Sequence, residues 1–92
     1  MIVHFRHRGL RRLYERDDSS GVPPQHLRKI RVLLRRLDTA VGPQDMDISG
    51  LRLHPLKGNR AGHWAVDVSR NLRMTFSFEG EDARDVDLLD YH

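Results

Sequence analysis

A chain of 92 residues has room for one small domain, expected over residues 1–92, and a domain of this size buries little more than ~60% of its unfolded surface. It contains no cysteine, which excludes disulfides, thiolate nucleophiles and cysteine-containing zinc sites and fits a reducing, cytoplasmic setting. The formal charge of +3 hides an asymmetry: residues 1–36 hold ten Lys+Arg against three Asp+Glu (net +7), whereas residues 37–92 hold six against ten (net −4).

The start, Met1 to Arg6, meets polar residues too early for a signal-peptide core, and no apolar run approaches the ~20 residues of a membrane span. A soluble protein with no membrane partner is expected. Ile2, Val3 and Phe5 suit a first strand, and Leu10, Leu13 and Tyr14 then recur at helical spacing within His7 to Arg16. The turn formers Asp17 to Gly21 follow, and Pro23-Pro24 sets φ for the first turn of a second helix. Its apolar stripe is Leu27, Ile30, Leu34, Leu37 and Val41, with Arg28, Arg31, Arg35 and Arg36 largely off it, and it ends by Gly42-Pro43.

Leu51 to His54 is expected as a short strand halted by Pro55, and Lys57 to Gly62 as a tight loop. Trp64, Val66 and Val68 alternate with polar or small residues, as do Met74, Phe76 and Phe78, which predicts a hairpin turning at Ser69-Arg70-Asn71. Glu79 to Asp82 is a second turn, and Val86, Leu88 and Leu89 mark a last strand running to the C-terminus. The predicted fold is α+β: an N-terminal strand, two helices, then an antiparallel meander with both helices packed on one sheet face.

If Met74, Phe76 and Phe78 point toward the helices, then Arg73, Thr75 and Ser77 point to an open face, to which the last strand can bring Asp90 or His92. RNA carries its own nucleophile, the 2′-hydroxyl. Cutting it by internal transesterification takes a base for that proton, an acid for the leaving 5′-oxygen and cations for the charge that develops at phosphorus, with no metal required. His54, Asp90, Tyr91 and His92 are the candidate catalytic groups, with His92 favoured as the acid because Asp90 and its own α-carboxylate would stabilise the imidazolium. Lys57, Arg60, Arg73 and Asn71 are the candidate phosphate and RNA ligands.

Singly, each of these has a plainer explanation. His54 before a proline suits a surface turn, Lys57 and Arg60 are loop charges, chain ends fray, and Trp64 and the phenylalanines suit a core better than a base-stacking platform. His4-x-x-His7 has no obvious third metal ligand, and neither a metal nor another cofactor is expected.

Together, Leu53-His54-Pro55-Leu56-Lys57-Gly58-Asn59-Arg60-Ala61-Gly62-His63-Trp64, Arg70 to Phe76, Gly21-Val22-Pro23 and the terminal Asp90-Tyr91-His92 resemble the HigB-type toxins of the RelE superfamily. The resemblance implies a concave sheet and cleavage of mRNA in the decoding site of the 70S ribosome. His54, Asp90, Tyr91 and His92 fall on that family's catalytic positions, and Lys57 and Arg73 on its phosphate-contacting ones. It further implies a HigA-type helix-turn-helix antitoxin whose complex with the toxin represses their own operon. The basic helices, Arg6, Arg8, Arg11, Arg12, Arg28 and Arg31 among them, would then face ribosomal RNA. Two departures are Leu72, where relatives often carry an aromatic residue before the arginine, and the acidic pair Asp85 and Asp87. The rival readings are a non-enzymatic basic module that binds nucleic acid or the ribosome, and a catalytically inactive family member.

Overall fold

The computed structural model describes residues 1–90, with helix α1 at Arg8–Arg16, helix α2 at Leu27–Thr39, and strands β1 His54–Pro55, β2 His63–Asp67, β3 Leu72–Glu79 and β4 Asp82–Asp90. The strands form one antiparallel sheet in the order β1-β2-β3-β4. Both helices cover the same side of it. Leu10 and Leu13 of α1 and Ile30, Leu33, Leu34 and Leu37 of α2 share one core with Val66, Leu72, Met74, Phe76 and Val86 of the sheet.

Helix α1 begins where the His7 Nδ1 accepts the Leu10 N–H at 3.1 Å, which replaces a missing intrahelical partner. Burial lowers the His7 pKa, which keeps the ring neutral and able to accept. The helix closes on Asp17, whose left-handed backbone (φ 56) directs its N–H to the carbonyls of Arg12 and Leu13. Gly9 is buried because α1 lies directly on the loop before α2: a Cβ at Gly9 would stand 2.1 Å from the Gly21 carbonyl oxygen.

Helix α2 stops at Thr39, two residues short of the expected stripe end. Ala40 turns to extended backbone (ψ 143), and the Asp45 carboxylate accepts the Val41 N–H, so Val41 is left 57% exposed instead of lying on the core.

The expected N-terminal strand is present only as two isolated parallel bridges to β4, Ile2 to Ala83 and Phe5 to Val86. Ala83 exchanges backbone bonds with Met1 and Val3, and Val86 with His4 and Arg6. The acceptor and donor positions are therefore three residues apart instead of two, because Asp85 (φ 52) interrupts the ladder. Asp38 of α2 holds this segment from the other side, accepting the Ile2 N–H at 3.0 Å and the Tyr14 hydroxyl at 2.7 Å. Among the described residues, no helix is long and apolar enough to cross a membrane.

Candidate functional site

The sheet face away from the helices is set by strand register. Asp67 pairs with Arg73, Ala65 with Thr75 and His63 with Ser77, and these residues alternate with Trp64, Val66, Met74 and Phe76, which pack on the core side. His54 joins this open face opposite Ala65. Strand β1 begins later than expected and includes Pro55 in its bridge, because Arg52 adopts a left-handed backbone (φ 53) that breaks the extension before His54.

That irregularity orients the imidazole. His54 Nδ1 lies 2.7 Å from the Arg52 carbonyl oxygen, which can only accept, so in the neutral ring Nδ1 carries the proton and Nε2 the lone pair. Nε2 is 3.4 Å from a terminal nitrogen of Arg73. The Arg73 guanidinium is anchored in turn by Asp67, with Nε 3.5 Å from Oδ1, while Arg52 approaches the other carboxylate oxygen at 3.5 Å. A proton-accepting nitrogen thus sits beside a cation held at both ends. This pairing is what transfer of a hydroxyl proton next to a phosphate requires.

The described residues include four buried side-chain polar atoms without a hydrogen-bond partner: both ring nitrogens of His63, Asp67 Oδ1 and Thr75 Oγ1. All belong to the open face. His63 Nε2 lies 3.5 Å from an Asp85 carboxylate oxygen, and Asp67 Oδ1 3.5 Å from Arg73 Nε. His63 Nδ1 and Thr75 Oγ1 have no such contact among the described residues, and a buried polar group left unsatisfied costs about 1–3 kcal/mol.

The structure does not gather every expected site residue. Lys57 and Arg60 belong to the β1–β2 loop, whose short 3₁₀ turn Gly58–Arg60 relies on the positive φ of Gly58 (68°) and Gly62 (91°) and which is closed by the Leu56 N–H to His63 carbonyl bond. This loop lies beyond the His63 end of the sheet, whereas Arg73 lies toward the Asp67 end, where Asn71 is exposed in the β2–β3 turn. Asp90 pairs with Leu72, and it is Leu89 that pairs with Arg73. By register, Asp90 is therefore out of phase with Arg73 and does not share its face as expected; it is exposed at the sheet end. The phase differs because the β3–β4 register slips by one residue between Thr75 and Ser77, where Asp85 of β4 takes a positive φ of 52°. Tyr91 and His92 lie outside the described residues.

Of the basic residues proposed for ribosomal RNA, Arg8 and Arg28 are exposed, while Arg11 pairs with Glu15 at 3.3 Å, Arg12 with Asp18 at 3.8 Å, Arg6 with Asp85 at 3.9 Å, and Arg31 with Asp17. A groove of about 360 Å³ between α1 and α2, lined by Leu13, Tyr14, Arg31, Leu34, Arg35 and Asp38, belongs to the helical layer and not to the open face. Sequence reasoning missed Arg52, Asp67 and His63. Alternation in β2 was the available signal for the last two, since it places them with Arg73 once Trp64 and Val66 are turned inward. Among the described residues, no group of three or more His, Cys, Asp or Glu is arranged to hold a metal ion.

Comparison with known proteins adds an independent line. A sequence family described as the RelE-like toxin of the type II toxin–antitoxin system HigB matches residues 3–92. The Endoribonuclease HigB of Proteus vulgaris is 41% identical over 92 residues, all of both chains. The YoeB/ParE toxin from Agrobacterium tumefaciens shares the fold, with a TM-score of 0.58 at 20% identity, covering 100% of this chain and 99% of that one.

Proposed function

This chain belongs to the HigB-like toxins, the RelE-like toxic halves of type II toxin–antitoxin systems, and from that premise we propose that it is an endoribonuclease that arrests translation by cutting mRNA in the decoding site of the 70S ribosome. The observation that carries the reading is the placement of His54: with Nδ1 2.7 Å from the Arg52 carbonyl oxygen, Nε2 is the nitrogen of the neutral ring that can take a 2′-hydroxyl proton, and Arg73 stands beside it. The 2′-oxygen attacks the adjacent phosphorus, the bond to the 5′-oxygen breaks, and that oxygen receives a proton. The products are a 2′,3′-cyclic phosphate and a 5′-hydroxyl.

In this reading Arg73 stabilises the charge on the phosphoryl oxygens. Lys57 and Arg60 meet the backbone of a neighbouring nucleotide from the loop, and Asn71 contacts RNA from the opposite turn. His92 supplies the leaving-group proton, with Asp90 working from the rim in orientation and proton handling and Tyr91 either positioning RNA or sharing in proton transfer. The exposed arginines of α1 and α2 contact ribosomal RNA, where neutralised phosphates release counterions. A HigA-type helix-turn-helix antitoxin neutralises the toxin in the cytoplasm.

Primer extension on translated mRNA tests the assignment. Wild type is expected to produce defined cuts, and His54→Gln and His92→Ala to lose them while remaining folded. Cleavage that survives in either folded variant removes that histidine from the mechanism, and salt-sensitive ribosome binding by wild type without any cut supports a pure binder instead.

A further inference from the structure

The contacts around His54 close into a ring. His54 Nδ1 meets the Arg52 carbonyl oxygen at 2.7 Å, and the Arg52 side chain brings its Nε to 3.5 Å from Asp67 Oδ2. Asp67 Oδ1 lies 3.5 Å from Arg73 Nε, and a terminal nitrogen of Arg73 returns to His54 Nε2 at 3.4 Å. Asp67 is the acidic member of this ring. It ends β2 directly opposite Arg73, and its N–H donates to the Leu51 carbonyl at 2.8 Å, which ties it to β3 and to the segment leading into Arg52.

The Asp67 side chain is 20% exposed and that of Arg73 24%, against 71% for Arg52, so the pair with Arg73 is the better shielded from water and salt. An arginine carries about 2 kcal/mol of rotamer entropy, and ordering it before the substrate arrives removes that term from the reaction barrier. With the carboxylate at Nε, a terminal nitrogen on the other side of the guanidinium meets His54. We infer that Asp67 is a positioning residue for RNA cleavage: holding Arg73 through one oxygen and Arg52 through the other, it fixes the guanidinium that meets phosphate against the imidazole that takes the proton. The inference rests on the proposed reading, in which Arg73 and His54 touch the substrate. A carboxylate that merely balanced charge on the open face would repel phosphate, so its removal would tighten RNA binding and leave kcat unchanged. Positioning instead requires kcat to fall.

Kinetics on translated mRNA separate the two roles. Asp67→Ala is expected to lower kcat by about tenfold to 100-fold with KM unchanged or lower, as for misplacement near 1 Å. Asp67→Asn keeps the shape but leaves one acceptor oxygen for two guanidinium groups, and a loss of about fivefold to tenfold is expected. Thermal melting establishes the folded fraction, and the Asn variant decides the matter if Ala fails to fold. In an Arg73→Ala background the same substitutions are expected to change kcat by less than about twofold, because Asp67 acts through that side chain. The Arg73 Nε–H signal in NMR spectra is expected to stand apart from those of the exposed arginines in wild type and to join them in the Asp67 variants. A kcat within about twofold of wild type in folded variants, an equal loss with and without Arg73, or an unmoved Nε–H signal overturns the inference. His54→Gln and Arg73→Ala in the same assay keep the two levels distinct: if either cuts at the wild-type rate, the site assignment has failed, whereas loss of cleavage in both with a flat Asp67 series refutes only the role of Asp67.

Discussion

Replacing Arg73 separates catalysis from stability more cleanly than any other substitution in the site. Its side chain is about one-quarter exposed and bridges Asp67 and His54. A phosphate oxygen about 4 Å from the guanidinium, at an effective dielectric near 20, is attracted by about 4 kcal/mol, in line with the ~10²–10³ in kcat lost when a donor to a developing oxyanion is removed. The structural cost is smaller. Asp67 keeps Arg52 at its other oxygen, but its buried Oδ1 loses the Arg73 cation, so removing Arg73 costs about 1–3 kcal/mol of stability, a fall in Tm of about 4–24 °C. Arg73→Ala is thus expected to lower single-turnover cleavage of translated mRNA by about 100-fold or more while remaining folded at 25 °C. Arg73→Lys retains the charge, but one ammonium cannot reproduce the fork between Asp67 and His54, and about tenfold of the loss should remain. Cleavage by Arg73→Ala within about threefold of wild type, or a loss only in proportion to the unfolded fraction, would refute the reasoning.

The same structure makes two predictions about stability. Gly9→Ala gains up to about 1 kcal/mol of helix propensity, but its methyl would lie 2.1 Å from a backbone oxygen that cannot swing aside, and overpacking of this kind costs about 1–3 kcal/mol or more. Net destabilisation is expected as a lower Tm by calorimetry, and a raised Tm would show that the loop at Gly21 yields freely. For Asp38, burial pushes the pKa up, but the bonds from Tyr14 and the Ile2 amide outweigh it and hold it below the usual value. A depressed carboxylate contributes stability that is present above the unfolded pKa near ~3.9 and lost as pH falls through the folded value, so Asp38→Asn should flatten the acid limb of a stability profile. Tyr14 is pushed up to about 12, chiefly by its hydrogen bond to Asp38. Its contribution is present below pH ~10 and lost as pH rises toward 12, and Tyr14→Phe should flatten that alkaline limb; unchanged profiles in both variants would contradict the linkage.

Both helices, the hairpin and the polar face opposite them could be read from periodicity alone, because Leu10 and Leu13, the α2 stripe and the alternation from Met74 to Phe78 each satisfy one simple repeat. Where the fold departs from the reading, an isolated backbone conformation had overridden that repeat. The left-handed Arg52 moves β1 onto His54–Pro55, and the extended Ala40 ends α2 before Val41. The bulge at Asp85 both splits the N-terminal pairing and moves Asp90 off the phase of Arg73. A trace of that bulge is visible in the sequence, since the core residues Ala83 and Val86 are three apart where a regular strand would space them by two. The partnership of His54 with Arg52 had no such trace, because a carbonyl acceptor two residues away belongs to the backbone and not to a side-chain motif.

The central claim, that this chain cuts RNA by using the 2′-hydroxyl of its own substrate, is met most directly by a translated mRNA carrying a single 2′-deoxynucleotide on the 5′ side of the scissile bond. The account predicts that cutting there is abolished while the all-ribose message is cleaved to a 2′,3′-cyclic phosphate and a 5′-hydroxyl. Cleavage of the deoxy-substituted message at an undiminished rate would contradict it.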